Sequence, residues 1–341
     1  MSALDWYLTH ERQSLTNSIH QMCRSESAMT ALQDAGIPWI GIDESLGGSG
    51  GDLADAAAAV RVLAVIAHSA PIAETALVAG WALEQSGMRV PTTMLAPAFS
   101  LDAQIHLDRG NSAYTLSGSL HNVPGINAAT YIVVPVDSWL CLVHKKDVTV
   151  KMSANVAHED RGTVIFDSST VQALEKLPIH ISHIDLFARL AFARAIQLSG
   201  AVIAVRELSI TYARTREQFG KPIASLQVVA HYLAQLAELA LVGEGAIATA
   251  LAAPTTMNFA LAKSVTGRAA REASRVGHQV HGAMGMSEEY ALGQFTTRMW
   301  SWTEEAGRPE FWNTYIGQAF LKQSERNLWA SITDGIEGEY A

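Results

Sequence analysis

At 341 residues the chain is long enough for two or three domains and a sizeable buried core. Its 49% hydrophobic and 17% charged residues give a globular, not a disordered, composition, and a net charge of −9 excludes a nucleic-acid binder built on a clustered basic face. The two cysteines, Cys23 and Cys141, lie far apart with no flanking histidine pattern, so neither a disulfide framework nor a metal site is expected.

The opening MSALDWYLTHERQSL places Asp5 and Glu11 where a secretory leader is apolar. Helices are expected over Leu4–Cys23, Ala28–Ala35, Asp52–His68 and Ile72–Ser86, the last two Ala-rich. Five glycines between Gly41 and Gly51 demand a loop, with Asp52 as N-cap of the helix that follows. The run AAAAVRVLAVIAHSA is interrupted by Arg61 and is too short to span a bilayer. The expectation is a cytoplasmic protein that binds neither membrane nor nucleic acid.

From Pro91 to Pro178 the pattern turns strand-like. AQIHL, YTLSGSL, TYIVVPV, WLCLVHKKDVTVKM and GTVIFDSSTV are short β-branched runs between turn residues, which predicts a small antiparallel barrel or sandwich. Within it, Asp160-Arg161 and Lys145-Lys146 read as solvated charge. The triplet His158-Glu159-Asp160 is no metal site, because adjacent residues point apart.

After Ser182 long helices return. Ile184–Arg214 is rich in Ala, Gly and Ser, which permits close helix packing. Leu226, Val229, Leu233, Leu236 and Ala240 recur at helical spacing. Between Met257 and Val280, Leu261, Val265, Ala269, Ala273, Val276 and Val280 form one apolar face, with Lys263, Arg268, Arg271 and Arg275 off it. The fold class is α+β multidomain, mostly α: an N-terminal helical domain (1–90), a shortened middle β-domain (91–180) and a C-terminal four-helix bundle (181–341). Trp300, Trp302 and Trp312 are expected as core and interface anchors, and Glu288-Glu289 as solvated charge.

Three stretches carry a family resemblance: YARTREQFGKPIASLQ (Tyr212–Gln227), QVHGAMGMSEEYALGQF (Gln279–Phe295) and, more weakly, PWIGIDESLGGSGGDL. With the α–β–α order they resemble the acyl-CoA dehydrogenase family of flavoproteins. Their chemistry suits a dinucleotide. Arg216, at a helix end beside Gly220, offers a bidentate donor to a pyrophosphate, and Gln218 and Gln227 offer amides to an adenine or ribose edge. Gly282 and Ala283 let backbone N–H groups approach phosphate oxygens. The resemblance implies that Arg216, Glu217, Gln218, Gln227, Gln279, Val280, His281, Gly282 and Ala283 clasp the ADP half of FAD for a neighbouring subunit. Read singly, Arg216 with Glu217 is equally an ordinary surface ion pair, and His281 a structural histidine.

The implied activity is α,β-dehydrogenation of an acyl-CoA thioester, with a glutamate as base, FAD as hydride acceptor and an electron-transfer flavoprotein downstream. This chain departs from the family pattern in two places. The flavin-facing Thr-Glu-Pro-Gly-Ala-Gly-Ser-Asp-like loop is replaced by MLAPAFSLDAQ, and the Trp-Ile-x-Asn pattern is missing. The two positions the family uses for its glutamate fall on Ala306 and near Leu190, and neither is acidic. The chain resembles the non-catalytic partner in heteromeric α2β2 acyl-CoA dehydrogenases that act on bulky thioesters such as steroid side chains. Two alternatives stand beside this: a self-sufficient homomeric enzyme with Glu305 as base, and a binding or scaffold subunit without flavin.

Overall fold

The computed structural model describes residues 6–322, apart from 103, 111 and 112. The expected helix start at Leu4, the strand start at Ala103 and the last 19 residues of the C-terminal domain lie outside the described residues.

The N-terminal helices are α1 (His10–Met22), α2 (Ala28–Asp34) and α3 (Leu53–Val65), followed by a π-helical segment over Ala73–Gly80 that runs into α4 (Trp81–Gln85). The first helix starts later than expected because Thr9 caps it, its hydroxyl accepting from the Arg12 amide. Asp52 is the N-cap of α3, in a reciprocal capping box with Asp55. Arg12 then ties α1 to this cap through Asp52 and Asp55. The Gly41–Gly51 loop folds back on itself, with left-handed φ at Gly41, Gly47, Gly50 and Gly51.

The strands are β1 (Leu95–Pro97), β2 (Ile105–Arg109), β3 (Tyr114–Pro124), β4 (Tyr131–Val136), β5 (Trp139–His144), β6 (Thr149–Ala154) and β7 (Asp160–Lys176). They follow the order β1-β4-β5-β7-β3-β2, with β6 also on β7. Every pairing is antiparallel except β1 with β4. The 17-residue β7 belongs to both halves: one end pairs with β5, the other with β3 and β6. It carries the unit around its own core of Leu116, Leu120, Ile132, Val134, Val143 and Phe166. Strand β1 falls in the stretch MLAPAFSLDAQ, where no strand was expected; three residues are too few to show periodicity.

The C-terminal helices are α5 (His183–Thr215), α6 (Gln227–Ala252), α7 (Thr256–His281), α8 (Leu292–Glu304) and α9 (Pro309–Lys322), with a two-strand hairpin, β8 (Glu217–Gln218) and β9 (Lys221–Pro222), between α5 and α6. Small residues bring α5 against α3: a Cβ on Gly200 would lie 2.8 Å from both the Ala64 Cβ and the Arg61 carbonyl oxygen. Among the described residues two helices, α5 and α6, are long and apolar enough to cross a membrane by length and composition. The most apolar 18-residue stretch of α5 is 89% buried within the protein, as befits a core helix, while that of α6 is only 39% buried.

Two expectations for α7 are corrected. Leu261 is exposed, and Lys263 is fully buried. Buried residues surround most of α7, so Lys263 has no solvent to reach; its Nζ donates instead to the carbonyls of Trp302 (2.6 Å) and Thr303 (2.8 Å) at the end of α8. Burial pushes the Lys263 pKa down to about 7. The unfolded chain therefore binds this proton more tightly than the folded one between pH 7 and the ordinary lysine value. Folding stability is expected to rise through that window in the native chain, and not in Lys263→Met, by on the order of 2 kcal/mol. Denaturant midpoints of both proteins at pH 7 and pH 9.5 check this; equal pH slopes would contradict it.

Candidate functional site

A cleft of about 790 Å³ opens where the β-unit meets the C-terminal bundle. The loop Pro97–Ser100, β3 and the end of β6 form one wall. Phe187, Leu190 and Arg194 of α5 form another, and Trp300 to Gly307 closes the end. Ala306, and Leu190 near which the resemblance places the alternative glutamate, both line this one cleft.

Its floor is a buried ion network. Glu305 follows the last residue of α8 as its C-cap, and its side chain is only 22% exposed. Arg161 donates to both carboxylate oxygens through Nη2, at 2.6 and 2.8 Å, and to Oε1 through Nε at 3.0 Å. Arg194 donates through Nε to Oε2 at 2.8 Å, and Asn155 to Oε1 at 3.1 Å. Burial alone would raise the Glu305 pKa, but Arg194 and Arg161 outweigh it and hold the carboxyl below its usual range. A carboxylate so clamped is a poor proton acceptor near neutral pH. Its neighbour Glu304 turns outward to Arg271.

The network extends into all three structural units. Arg194 pairs with Glu74 of the π-helical segment at 2.7 Å and donates to Gln197. Arg161 also meets Glu159, which accepts from Arg298 and from the Trp302 indole. The expectation of solvated charge at Asp160-Arg161 is thus corrected: Arg161 is buried, because Glu305 and Glu159 together neutralise it. Sequence reading missed this cluster, yet one signal was present. Arg194 interrupts the apolar run LFARLAFARAIQL, where a buried charge calls for a counter-ion.

The predicted cofactor residues lie elsewhere, at one end of the bundle. The chain leaves α5 at Arg216, makes the β8–β9 hairpin and enters α6 at Gln227. The end of α7 reaches the same place, since the His281 ring stacks on Tyr212 of α5 at 4.6 Å. Arg216, Glu217, Gln218, Gln227, Gln279, Gly282 and Ala283 are exposed. The Arg216 side chain has no hydrogen-bond or ion-pair partner among the described residues, Glu217 included. Gly282 stands in open space with φ +59°, so its backbone is accessible. Val280 is buried. His281 is buried too: its Nδ1 bonds the Gly277 carbonyl at 2.7 Å and its Nε2 the Tyr290 hydroxyl at 3.2 Å. Burial, the largest influence, lowers its pKa, so it holds the end of α7 in place as a neutral ring. The hairpin tip sets Phe219 and Gly220 at φ +56° and +75°, a tight turn with both central residues left-handed, and leaves Phe219 87% exposed.

An uncommitted guanidinium, free amides and an open glycine backbone on one surface are a donor set suited to a dinucleotide's phosphates and polar edges. The residues present fit the ADP half of FAD.

Residues 184–319 match the family described as acyl-CoA dehydrogenase, C-terminal domain. The acyl-CoA dehydrogenase IpdE2 of Mycobacterium tuberculosis is 27% identical over 271 residues, 78% of this chain and 77% of that protein. Among solved structures, the ChsE4-ChsE5 complex from Mycobacterium tuberculosis superposes with a TM-score of 0.81 at 21% identity, covering 94% of this chain and 98% of that one. A steroid ACAD, Tcur3481-Tcur3483, gives 0.78 at 18% identity over 95% and 97%. Residues 184–319 thus carry an acyl-CoA dehydrogenase C-terminal domain, a family whose members are FAD-binding flavoproteins, and the relatives support an acyl-CoA dehydrogenase-type oxidoreductase.

Proposed function

We propose that this chain is the flavin-clasping, base-lacking subunit of a heteromeric acyl-CoA dehydrogenase. A homologous partner carries the glutamate. What supports this reading is the cleft: Ala306, the counted position of the family's C-terminal glutamate, and Leu190, near the alternative one, both line it, and neither is acidic. Of the cleft's carboxylates, Glu305 is locked between two arginines, Glu304 faces Arg271, and Asp102 stands on the exposed rim.

The clasp residues Arg216, Glu217, Gln218, Gln227, Gln279, Gly282 and Ala283 would hold the ADP half of FAD bound mainly by the partner, while Val280 and His281 fix the backbone beneath them. FAD, once bound, supplies the hydride acceptor for α,β-dehydrogenation of an acyl-CoA. In this chain Arg216 would neutralise pyrophosphate charge and the open backbone at Gly282 would donate to phosphate oxygens. An electron-transfer flavoprotein would re-oxidise the complex. Association with a homologue is supported by the outward face of α6, where Val228, Leu241 and Val242 are exposed. It is supported too by the likeness to a solved complex of two differently named chains. The likeness to a steroid ACAD supports a bulky thioester as substrate.

Co-purification with the glutamate-bearing homologue tests whether flavin is held at all. A yellow complex absorbing at about 450 nm is expected. A colourless complex that takes up no added FAD would favour the scaffold reading instead.

A further inference from the structure

A second cleft, of about 500 Å³, lies on the other side of α5, between that helix, α4 and the start of α7. One helical position turns a side chain by about 100°, so Arg189, which lines this cleft, faces away from Leu190 and Arg194 of the first. Arg189 is only 7% exposed. Its guanidinium lies 4.5 Å from the Trp81 ring centre and 5.6 Å from that of Phe259. Its Nε donates to the Leu77 carbonyl at 2.8 Å, in the π-helical segment. No carboxylate pairs with it among the described residues, and nothing there accepts from its two terminal nitrogens. Burial lowers its pKa to about 9, and the Glu84 carboxylate of the same cleft, too far to pair with it, offsets this only in part.

We propose that this cleft is a binding site for an organic monocarboxylate, held by the terminal nitrogens of Arg189. It stands independently of the flavin assignment. A planar guanidinium between two rings is pre-organised to meet a carboxylate edge-on through two parallel hydrogen bonds. The acidic groups of the cleft are already engaged. Asp185 accepts from the Ser182 amide and hydroxyl and from the Thr256 hydroxyl, and Glu84 accepts from the Asp43 amide. Their negative charge disfavours a dianion such as phosphate, while Trp81, Phe259, Leu53 and Ile181 offer an apolar bed for the rest of the molecule.

The test is calorimetric titration of the full chain with benzoate, hexanoate and inorganic phosphate at fixed ionic strength. Saturable benzoate or hexanoate binding is expected, weakened about tenfold or more in Arg189→Met. Glu84→Gln, which keeps an acceptor for Asp43 but removes a charge, is expected to tighten it about threefold. Where Arg189→Met fails to fold, Glu84→Gln decides. The assignment is overturned by equal binding in Arg189→Met, by no change in Glu84→Gln, by phosphate binding as tightly as benzoate, or by no saturable binding.

Discussion

Glu305→Ala is expected to destabilise the chain by about 3–5 kcal/mol at neutral pH, read as a fall in the denaturant midpoint. The reason is what it leaves behind. Arg161 and Arg194 are 7% and 1% exposed at the side chain, and Glu305 is a counter-ion to both. Removing one carboxylate strands buried guanidinium groups that Glu74 and Glu159 only partly offset. The pH dependence follows from the depressed Glu305 pKa. The folded chain gives up this proton more readily than the unfolded one. The stabilisation is therefore complete above the ordinary glutamate value near pH 4 and lost as pH falls through the lower folded value. The gap between the native protein and Glu305→Gln should shrink correspondingly in acid. A midpoint unchanged by Glu305→Ala would mean that the ion network contributes nothing to stability.

Arg216→Ala should have the opposite profile. The side chain is exposed and without a protein partner, so the midpoint should stay within about 0.5 kcal/mol of the native value. In the flavin-bearing complex, loss of a charge-assisted contact to pyrophosphate should weaken FAD binding by about 30-fold or more, equivalent to at least about 2 kcal/mol. Flavin release on dilution, followed by fluorescence, reads this directly. A variant that keeps its flavin as tightly as the native complex would remove Arg216 from the clasp.

The long helices and β-branched runs could be read from the residues because they rest on local patterns: the period along α6, the Asp52 cap, the glycine loop. The surface turn that carries the proposed clasp was legible for a related reason, since a helix end and a tight turn are written in consecutive residues. The floor of the cleft was not. Arg194 and Arg161 meet Glu305 across 111 and 144 positions of chain, and Lys263 finds its carbonyls 39 and 40 residues away. Whether such a charge is solvated or buried depends on which partners the fold delivers, and local composition carries no record of that. The same distance dependence changed the meaning of Glu305. In sequence it is the base of the homomeric alternative; in the fold Arg194 and Arg161 hold its carboxyl below the usual range, a setting that favours a structural anion.

The central claim is that this chain helps to hold a flavin but does not carry the base that acts with it. Turnover by the purified chain, saturated with FAD and given acyl-CoA thioesters and an artificial electron acceptor, tests this most directly beside the same chain assembled with its glutamate-bearing homologue. Dehydrogenation is expected from the assembly alone, with a rate at least about 10³-fold above that of the isolated chain. Full flavin occupancy and comparable turnover by the isolated chain would contradict it.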